Sequence, residues 1–89
     1  MAKHILCADD SVTMQQVVAI TFGQTEYTVH SARTADDALA IARQTPMELV
    51  LADAVMPGQK LTSGYDLCQA LKSEPGTRSV PVVIMCGNS

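Results

Sequence analysis

The sequence predicts an α/β fold with a doubly wound parallel sheet. Short apolar runs alternate with segments of helical spacing, which is typical of strands joined by helices. Two of the runs end directly before acidic residues, at Asp9 and at Asp53. The run over residues 80 to 86 has no charge, as expected of a strand buried on both faces. Because parallel strands end together at one edge, which is where such folds bind ligands, both acidic positions are expected there.

Length and composition restrict the chain to one domain, expected over residues 1 to 89. It is 47% hydrophobic and 17% charged, which excludes a disordered polymer. The net charge is −3 and the six basic residues are scattered, so we expect neither nucleic acid nor a membrane surface as a partner. No stretch resembles a signal peptide or a membrane span.

The first half of the chain predicts a strand, a helix and a strand. Residues 3 to 8 form an apolar run of strand length. A helix is expected over residues 12 to 22 with Ser11 as its N-cap, because a serine hydroxyl accepts a hydrogen bond from the first turn. Residues 26 to 31 alternate apolar and polar side chains, which indicates another strand. Helical spacing places the inward face at Met14, Val17, Val18 and Thr21.

The second half of the chain repeats this alternation. Residues 34 to 37 resemble a capping box, with Asp in place of Glu, and predict a second helix. Residues 48 to 53 and 80 to 86 are predicted as strands. Between them a third helix opens at Ser63 and Gly64 and ends at Pro75. Inward positions are expected at Ala35, Ala38, Leu39 and Ala42 in the second helix and at Leu67, Ala70 and Leu71 in the third.

Three carboxylates are the candidate functional groups. Asp9 and Asp10 follow the first strand and Asp53 ends the third, so all three are expected at one edge of the sheet. Such a pocket repels itself unless a cation fills it, and hard oxygen ligands suit Mg²⁺. The competing interpretation is that these are ordinary loop acids or helix-capping groups.

The cysteines and histidines predict no second site. Cys7, Cys68 and Cys86 are odd in number, lie in apolar surroundings and form no Cys-x-x-Cys spacing. We therefore expect buried, unreactive thiols in a reducing, cytoplasmic compartment. His4 and His30 are predicted to be solvated or half-buried strand residues without a metal cluster.

The combined spacing resembles the receiver domain of two-component response regulators over the whole chain. The resemblance is carried by Asp9-Asp10 after the first strand, Asp53 after the third, Met56-Pro57 shortly beyond it, Gly64 before the third helix and Pro81 at the fourth strand. It implies a flavodoxin-like sheet of order 2-1-3-4, in a domain incomplete at its C-terminus. The fifth strand, with its essential Lys, and the last helices would be missing.

The resemblance also implies roles for particular residues. Asp53 would be the phosphoacceptor for a sensor histidine kinase or phosphotransfer protein, and a downstream output protein or domain would respond. Mg²⁺ would be held by Asp9, Asp10, Asp53 and the backbone carbonyl of Val55. Such a domain is not an enzyme that releases a small-molecule product. Residues 64 to 72 resemble receivers of bacterial motility and polarity control.

Two features within the chain depart from the family pattern. Gly64 follows Asp53 by eleven residues, a few more than usual, so the intervening loop is longer. Cys86 stands where the family usually has the Thr or Ser that contacts the phosphoryl group, and a thiol is a weak donor. These departures favour a second hypothesis, a pseudo-receiver that acts as a phosphorylation-independent interaction module.

Two further expectations concern a third function class and the sheet edge. An aspartyl phosphatase or phosphotransferase usually carries a second acid two residues after its nucleophile, where this chain has Val55. Without a fifth strand, the apolar residues 80 to 86 would form an exposed edge that can pair with another chain. We therefore expect self-association or domain swapping of these 89 residues, unless they are part of a longer protein.

Overall fold

A computed structural model describes residues 3–23, 25–55, 60–61 and 63–85. Four parallel strands form one sheet in the order β2-β1-β3-β4, which confirms the predicted fold class and strand order. No described helix is long and apolar enough to cross a membrane. The elements are β1 Lys3–Ala8, α1 Val12–Phe22, β2 Tyr27–Ala32, α2 Ala35–Gln44, β3 Leu49–Asp53, α3 Gly64–Lys72 and β4 Val82–Met85.

The strand boundaries differ most from prediction at β4. The predicted run began at residue 80, but the Val80 amide donates to the Thr77 carbonyl at 3.1 Å and closes a turn instead. Pro81 has no amide to donate, although its carbonyl accepts from Val50 at 3.0 Å. β4 therefore begins at Val82, and Cys86 lies outside the described residues.

The helix starts follow the predicted caps. The Ser11 hydroxyl accepts from the Met14 amide at 3.2 Å, and the Thr34 hydroxyl accepts from the Asp37 amide at 3.1 Å. Ser63 caps α3 in the same way. Each cap satisfies an amide that has no partner within its helix, so it fixes where the helix begins relative to the preceding strand.

The main core lies between the sheet and the pair α2 and α3. Leu6 on β1 and Val50 on β3 are fully buried against this layer, as is Leu67 on α3. The small side chains of α2 allow a close approach to the sheet. The predicted inward residues that are buried in these helices are Ala35, Ala38, Ala42, Leu67 and Leu71, whereas Leu39 and Ala70 are half-buried.

The predicted inward face of α1 is largely wrong. Only Val18 is buried; Val17 is 50% exposed, and Met14 and Thr21 are also exposed. The cause is that α1 stands alone among the described helices on the sheet face opposite the α2–α3 core. The strand register places Val83 of β4 on that opposite face, and its side chain is 47% exposed.

Candidate acidic site at the carboxyl edge of the sheet

The structure brings the three predicted carboxylates together. Asp9 and Asp10 follow β1, Asp53 ends β3, and one carboxylate oxygen from each lies within 4.8 Å of the other two. The register explains this, because Ala8 pairs with Ala52 and the two strands reach the edge level with each other. Among the described residues, this is the one cluster of His, Cys, Asp or Glu side chains that could hold a metal ion.

Asp9 is the buried member of the cluster. Its side chain is 4% exposed, and its carboxylate accepts a hydrogen bond from the Ser11 amide at 2.9 Å. Burial raises the pKa of the Asp9 carboxyl above its usual value, and the nearby charges of Asp53 and Asp10 raise it further, although the Ser11 bond opposes them. The charged form of Asp9 is therefore disfavoured in the metal-free domain, and a cation bound beside it would relieve that cost.

Asp53 is half-buried and is held by the strand ladder. It pairs with Met85 of β4, and the next amide, that of Ala54, donates to the Met85 carbonyl at 2.9 Å. The Asp53 carboxylate lies 3.4 Å from the Val55 amide, which donates to it. The nucleophile proposed from the sequence is thus a partly accessible side chain on a fixed strand end.

The connection after β3 is closed at its base. Val55 pairs with Ser63 in an isolated antiparallel bridge, and the Gly64 amide donates to the Ala54 carbonyl at 3.1 Å. Gly64 packs directly against the strand end: a Cβ there would overlap the Asp53 carbonyl oxygen and lie 2.9 Å from its carbon. The start of α3 therefore fixes the backbone that carries Asp53 and Val55.

Sequence reasoning missed the part played by Gln15. Its amide nitrogen lies 2.7 Å from the Asp9 carbonyl and 3.0 Å from the Ala32 carbonyl, so it ties α1 to the ends of β1 and β2. Gln16 beside it is exposed. Nothing in the sequence separates these two glutamines, because the direction of α1 on the sheet decides which one points inward.

The donor set fits a divalent cation. It offers carboxylate oxygens from three residues, closely spaced and mutually repulsive, which are the ligands preferred by Mg²⁺ and Ca²⁺. Asp10 is exposed, so one side of the cluster is open to water, which Mg²⁺ usually retains as ligands.

The remaining predicted residues lie elsewhere or outside the described part of the chain. Cys86 and the Met56-Pro57 pair are not among the described residues. Cys7 is buried as predicted, and burial followed by the charge of Asp9 raises the pKa of its thiol to about 11, which disfavours the thiolate form that reacts. Cys68 was also predicted to be buried, but it is only half-buried.

The two histidines are half-buried strand residues, as predicted, but they interact with each other. His4 Nδ1 lies 2.8 Å from His30 Nε2 across β1 and β2, a direct imidazole–imidazole hydrogen bond. The pair is separate from the acidic cluster and was not anticipated, because the two rings are brought together by strand register.

Comparison with known proteins agrees with this geometry. Residues 5–89 match the family described as "Response regulator receiver domain". "Response regulator PleD" of Caulobacter vibrioides is 32% identical over 85 residues, covering 96% of this chain and 18% of PleD. "Protein PilH" of Pseudomonas aeruginosa is 32% identical over 82 residues, covering 92% of this chain and 65% of PilH.

Solved structures share the fold. The chemotaxis protein CheY4 of Vibrio cholerae superposes with a TM-score of 0.86 at 24% identity, covering 100% of this chain and 72% of CheY4. That identity establishes the fold alone, whereas the family match extends over nearly the whole sequence. With four parallel strands in the order 2-1-3-4 and this match, the chain belongs to the response regulator receiver domain family.

Proposed function

We propose that this receiver domain accepts a phosphoryl group on Asp53 from a phosphohistidine of a sensor histidine kinase or phosphotransfer protein. The observation that carries the proposal is the convergence of three carboxylates from two strand ends within 4.8 Å. We propose that Asp9, Asp10, Asp53 and the Val55 carbonyl hold Mg²⁺. When bound, Mg²⁺ would neutralise charge on the phosphoryl oxygens.

The proposed transfer requires little beyond a positioned nucleophile. A carboxylate oxygen of Asp53 forms a bond to phosphorus while the phosphorus–nitrogen bond of phosphohistidine breaks. The electron pair of that bond returns to the ring nitrogen of the donor histidine, and because the other ring nitrogen carries a proton, neutral imidazole leaves. The residues here hold the nucleophile still: the β4 ladder fixes Asp53 on one side, and Gly64 packs against its backbone on the other.

The test is uptake of a phosphoryl group from acetyl phosphate in the presence of Mg²⁺, followed by intact mass. We expect one phosphoryl group on the wild-type chain and none on Asp53→Asn, because an amide is not a nucleophile of this kind. Glu48→Gln is the matched control, since it removes an exposed carboxylate away from the cluster and should leave uptake unchanged.

The second candidate function is the pseudo-receiver, which would act through protein contacts alone. It is favoured by Cys86 in the position of the usual hydroxyl residue. Wild-type protein that binds Mg²⁺ but takes up no phosphoryl group would decide for this alternative. Labelling that persists in Asp53→Asn would instead show that the phosphoacceptor is misassigned.

The wider setting follows from the family and the sequence. We propose a cytoplasmic signalling role, with no small-molecule product released by these residues and an output protein or domain as the responding partner. The resemblance of residues 64 to 72 to motility receivers favours an output in bacterial motility. The chain spans only 18% of PleD, so the output itself is assigned by analogy and not by these residues.

Self-association of these 89 residues is a further expected result. Val17 on α1 and Val83 on β4 are both about half exposed on the sheet face that α1 covers only in part. Covering this face against a second copy would remove apolar surface from water at about 25 cal/mol per Å². Sedimentation equilibrium at micromolar concentration should therefore show dimers or larger species.

A matched pair of substitutions in α1 checks that surface. Val17→Lys should weaken association about tenfold or more, because it places a charge in the apolar face. Gln16→Lys introduces the same charge at the neighbouring exposed position and should change association little. A wild-type chain that stays monomeric and unfolds cooperatively would contradict the expectation.

A further inference from the structure

We propose that Asp36 is a positioning residue for the acidic site. Its carboxylate binds the backbone of residues 60 and 61, the far limb of the long connection between β3 and α3, and thereby fixes the backbone at Val55. The proposal rests on the proposed Mg²⁺ site, because its consequence is a change in Mg²⁺ affinity. It assigns a task to a residue of α2 that the acidic cluster itself does not include.

Asp36 reaches across the chain with both carboxylate oxygens. Oδ2 accepts from the Lys60 amide at 3.2 Å, and Oδ1 accepts from the Leu61 amide at 3.2 Å. Two successive backbone amides are therefore bound by one charged side chain from another element. A hydrogen bond to an ionised acceptor is stronger than a neutral one of the same length. The two bonds therefore restrain the backbone of residues 60 and 61 relative to α2.

The anchored limb leads directly to the site. Leu61 packs against the main core, and two residues later Ser63 pairs with Val55. That bridge sets the direction of the Val55 backbone, and the Val55 amide donates to the carboxylate of Asp53. Holding Leu61 thus restricts the peptide whose carbonyl is the proposed fourth Mg²⁺ ligand.

The length of the connection explains why an outside anchor is needed. Gly64 follows Asp53 by eleven residues, and the entropic cost of closing a connection rises with its length. Its two ends are joined at Val55 and Ser63. The hydrogen bonds accepted by Asp36 hold residues 60 and 61 to α2. They are a third point of attachment for this connection, in addition to its two paired ends.

The experiment compares Asp36→Asn with Asp37→Asn. Both remove one negative charge from the first turn of α2, so effects on the helix dipole and on the long-range field are matched, and Asp37 is exposed. An asparagine at position 36 keeps only one acceptor oxygen for two amides. We expect Asp36→Asn to weaken Mg²⁺ binding about 10-fold, as is typical when a residue that orients a metal ligand is replaced. We expect Asp37→Asn to change Mg²⁺ binding less than about twofold.

The readouts separate positioning from general stability. Mg²⁺ affinity is measured from the amide chemical shifts of Asp9, Asp10 and Asp53. A denaturant titration first establishes conditions under which both variants are folded. Hydrogen exchange of the Lys60 and Leu61 amides should accelerate in Asp36→Asn and not in Asp37→Asn. Phosphorylation by acetyl phosphate should slow at subsaturating Mg²⁺ and recover at saturating Mg²⁺.

Asp36→Glu provides the conservative variant. It keeps the charge and both oxygens on a longer side chain, so we expect Mg²⁺ affinity between those of wild type and Asp36→Asn. Equal Mg²⁺ affinity in wild type and in both Asp36 variants would overturn the positioning role while leaving the metal site intact. Wild-type protein that does not bind Mg²⁺ would overturn the proposed function and this inference together.

Discussion

Gly64→Ala is expected to be among the most damaging single substitutions in this domain. Gly64 is buried at the first position of α3, and an added Cβ would overlap the carbonyl oxygen of Asp53. The same Cβ would lie 2.9 Å from the Asp53 carbonyl carbon and 3.4 Å from the Ala52 Cβ. Because the opposing atoms are strand backbone, no side chain can turn away to make room.

The clash must move either α3 or the end of β3. Overpacking of a filled interior typically costs 1 to 3 kcal/mol, and we expect a loss of about 3 kcal/mol in the free energy of unfolding here. The end of β3 carries the proposed nucleophile, so phosphoryl uptake should fall together with stability. Urea unfolding gives the first quantity and intact mass after acetyl phosphate treatment gives the second.

Gly76→Ala is the control for this substitution. A Cβ at Gly76 would meet no atom within 4 Å, and its backbone is not left-handed. We expect a change of no more than about 0.5 kcal/mol in the free energy of unfolding, as for other exposed positions. Equal destabilisation by the two substitutions would show that the contact between α3 and Asp53 is not a tight one.

The sequence predicted the features that depend on local patterns. The alternation of apolar runs with helical segments predicted the parallel sheet, and the family resemblance predicted its strand order. The positions of the strand ends predicted that Asp9 and Asp53 lie close together. The caps at Ser11 and Thr34 were also predicted correctly. The cap signals lie within a few residues of the helix starts, and the ends of parallel strands meet at one edge in any sheet of this kind, so the surrounding fold had little power to change either feature.

The features that were missed depend on contacts distant in sequence. Gln15 contacts Ala32, which lies 17 residues away, and Asp36 contacts Leu61 over 25 residues. Their neighbours Gln16 and Asp37 are chemically identical, so only the orientation of the helices separates them. The inward face of α1 was wrong because no other described helix packs beside it on its face of the sheet. The sequence of α1 could not reveal this, since apolar residues lie on several sides of the helix.

Asp9→Asn should change stability in opposite directions without and with Mg²⁺. The pKa of Asp9 is raised in the folded protein, chiefly by burial and then by Asp53 and Asp10, so the folded state binds this proton more tightly than the unfolded chain. Stability therefore falls as the pH rises from the ordinary Asp value of 3.8 through the raised folded value, and the penalty is complete above that folded value. Removing the charge should stabilise the metal-free domain.

The size of this gain follows from the crowding of the three carboxylates. Relief of partly screened repulsion at this separation is on the order of 1 kcal/mol, and the asparagine oxygen can still accept from the Ser11 amide. With Mg²⁺ at about 100 times its dissociation constant, the wild-type domain should gain about 2.7 kcal/mol by linkage. The variant loses a proposed ligand and should gain little.

The order of stabilities of the two proteins should therefore reverse on addition of Mg²⁺. Thermal unfolding at pH 7, with and without Mg²⁺ and with Glu48→Gln as the control, measures all of these differences in one series. If Asp9→Asn were less stable than wild type in the absence of metal, the carboxylate would contribute more through its bond to the Ser11 amide than it costs by burial and repulsion. A cluster of purely structural acids would show no reversal, because Mg²⁺ would then leave the free energy of unfolding of both proteins unchanged.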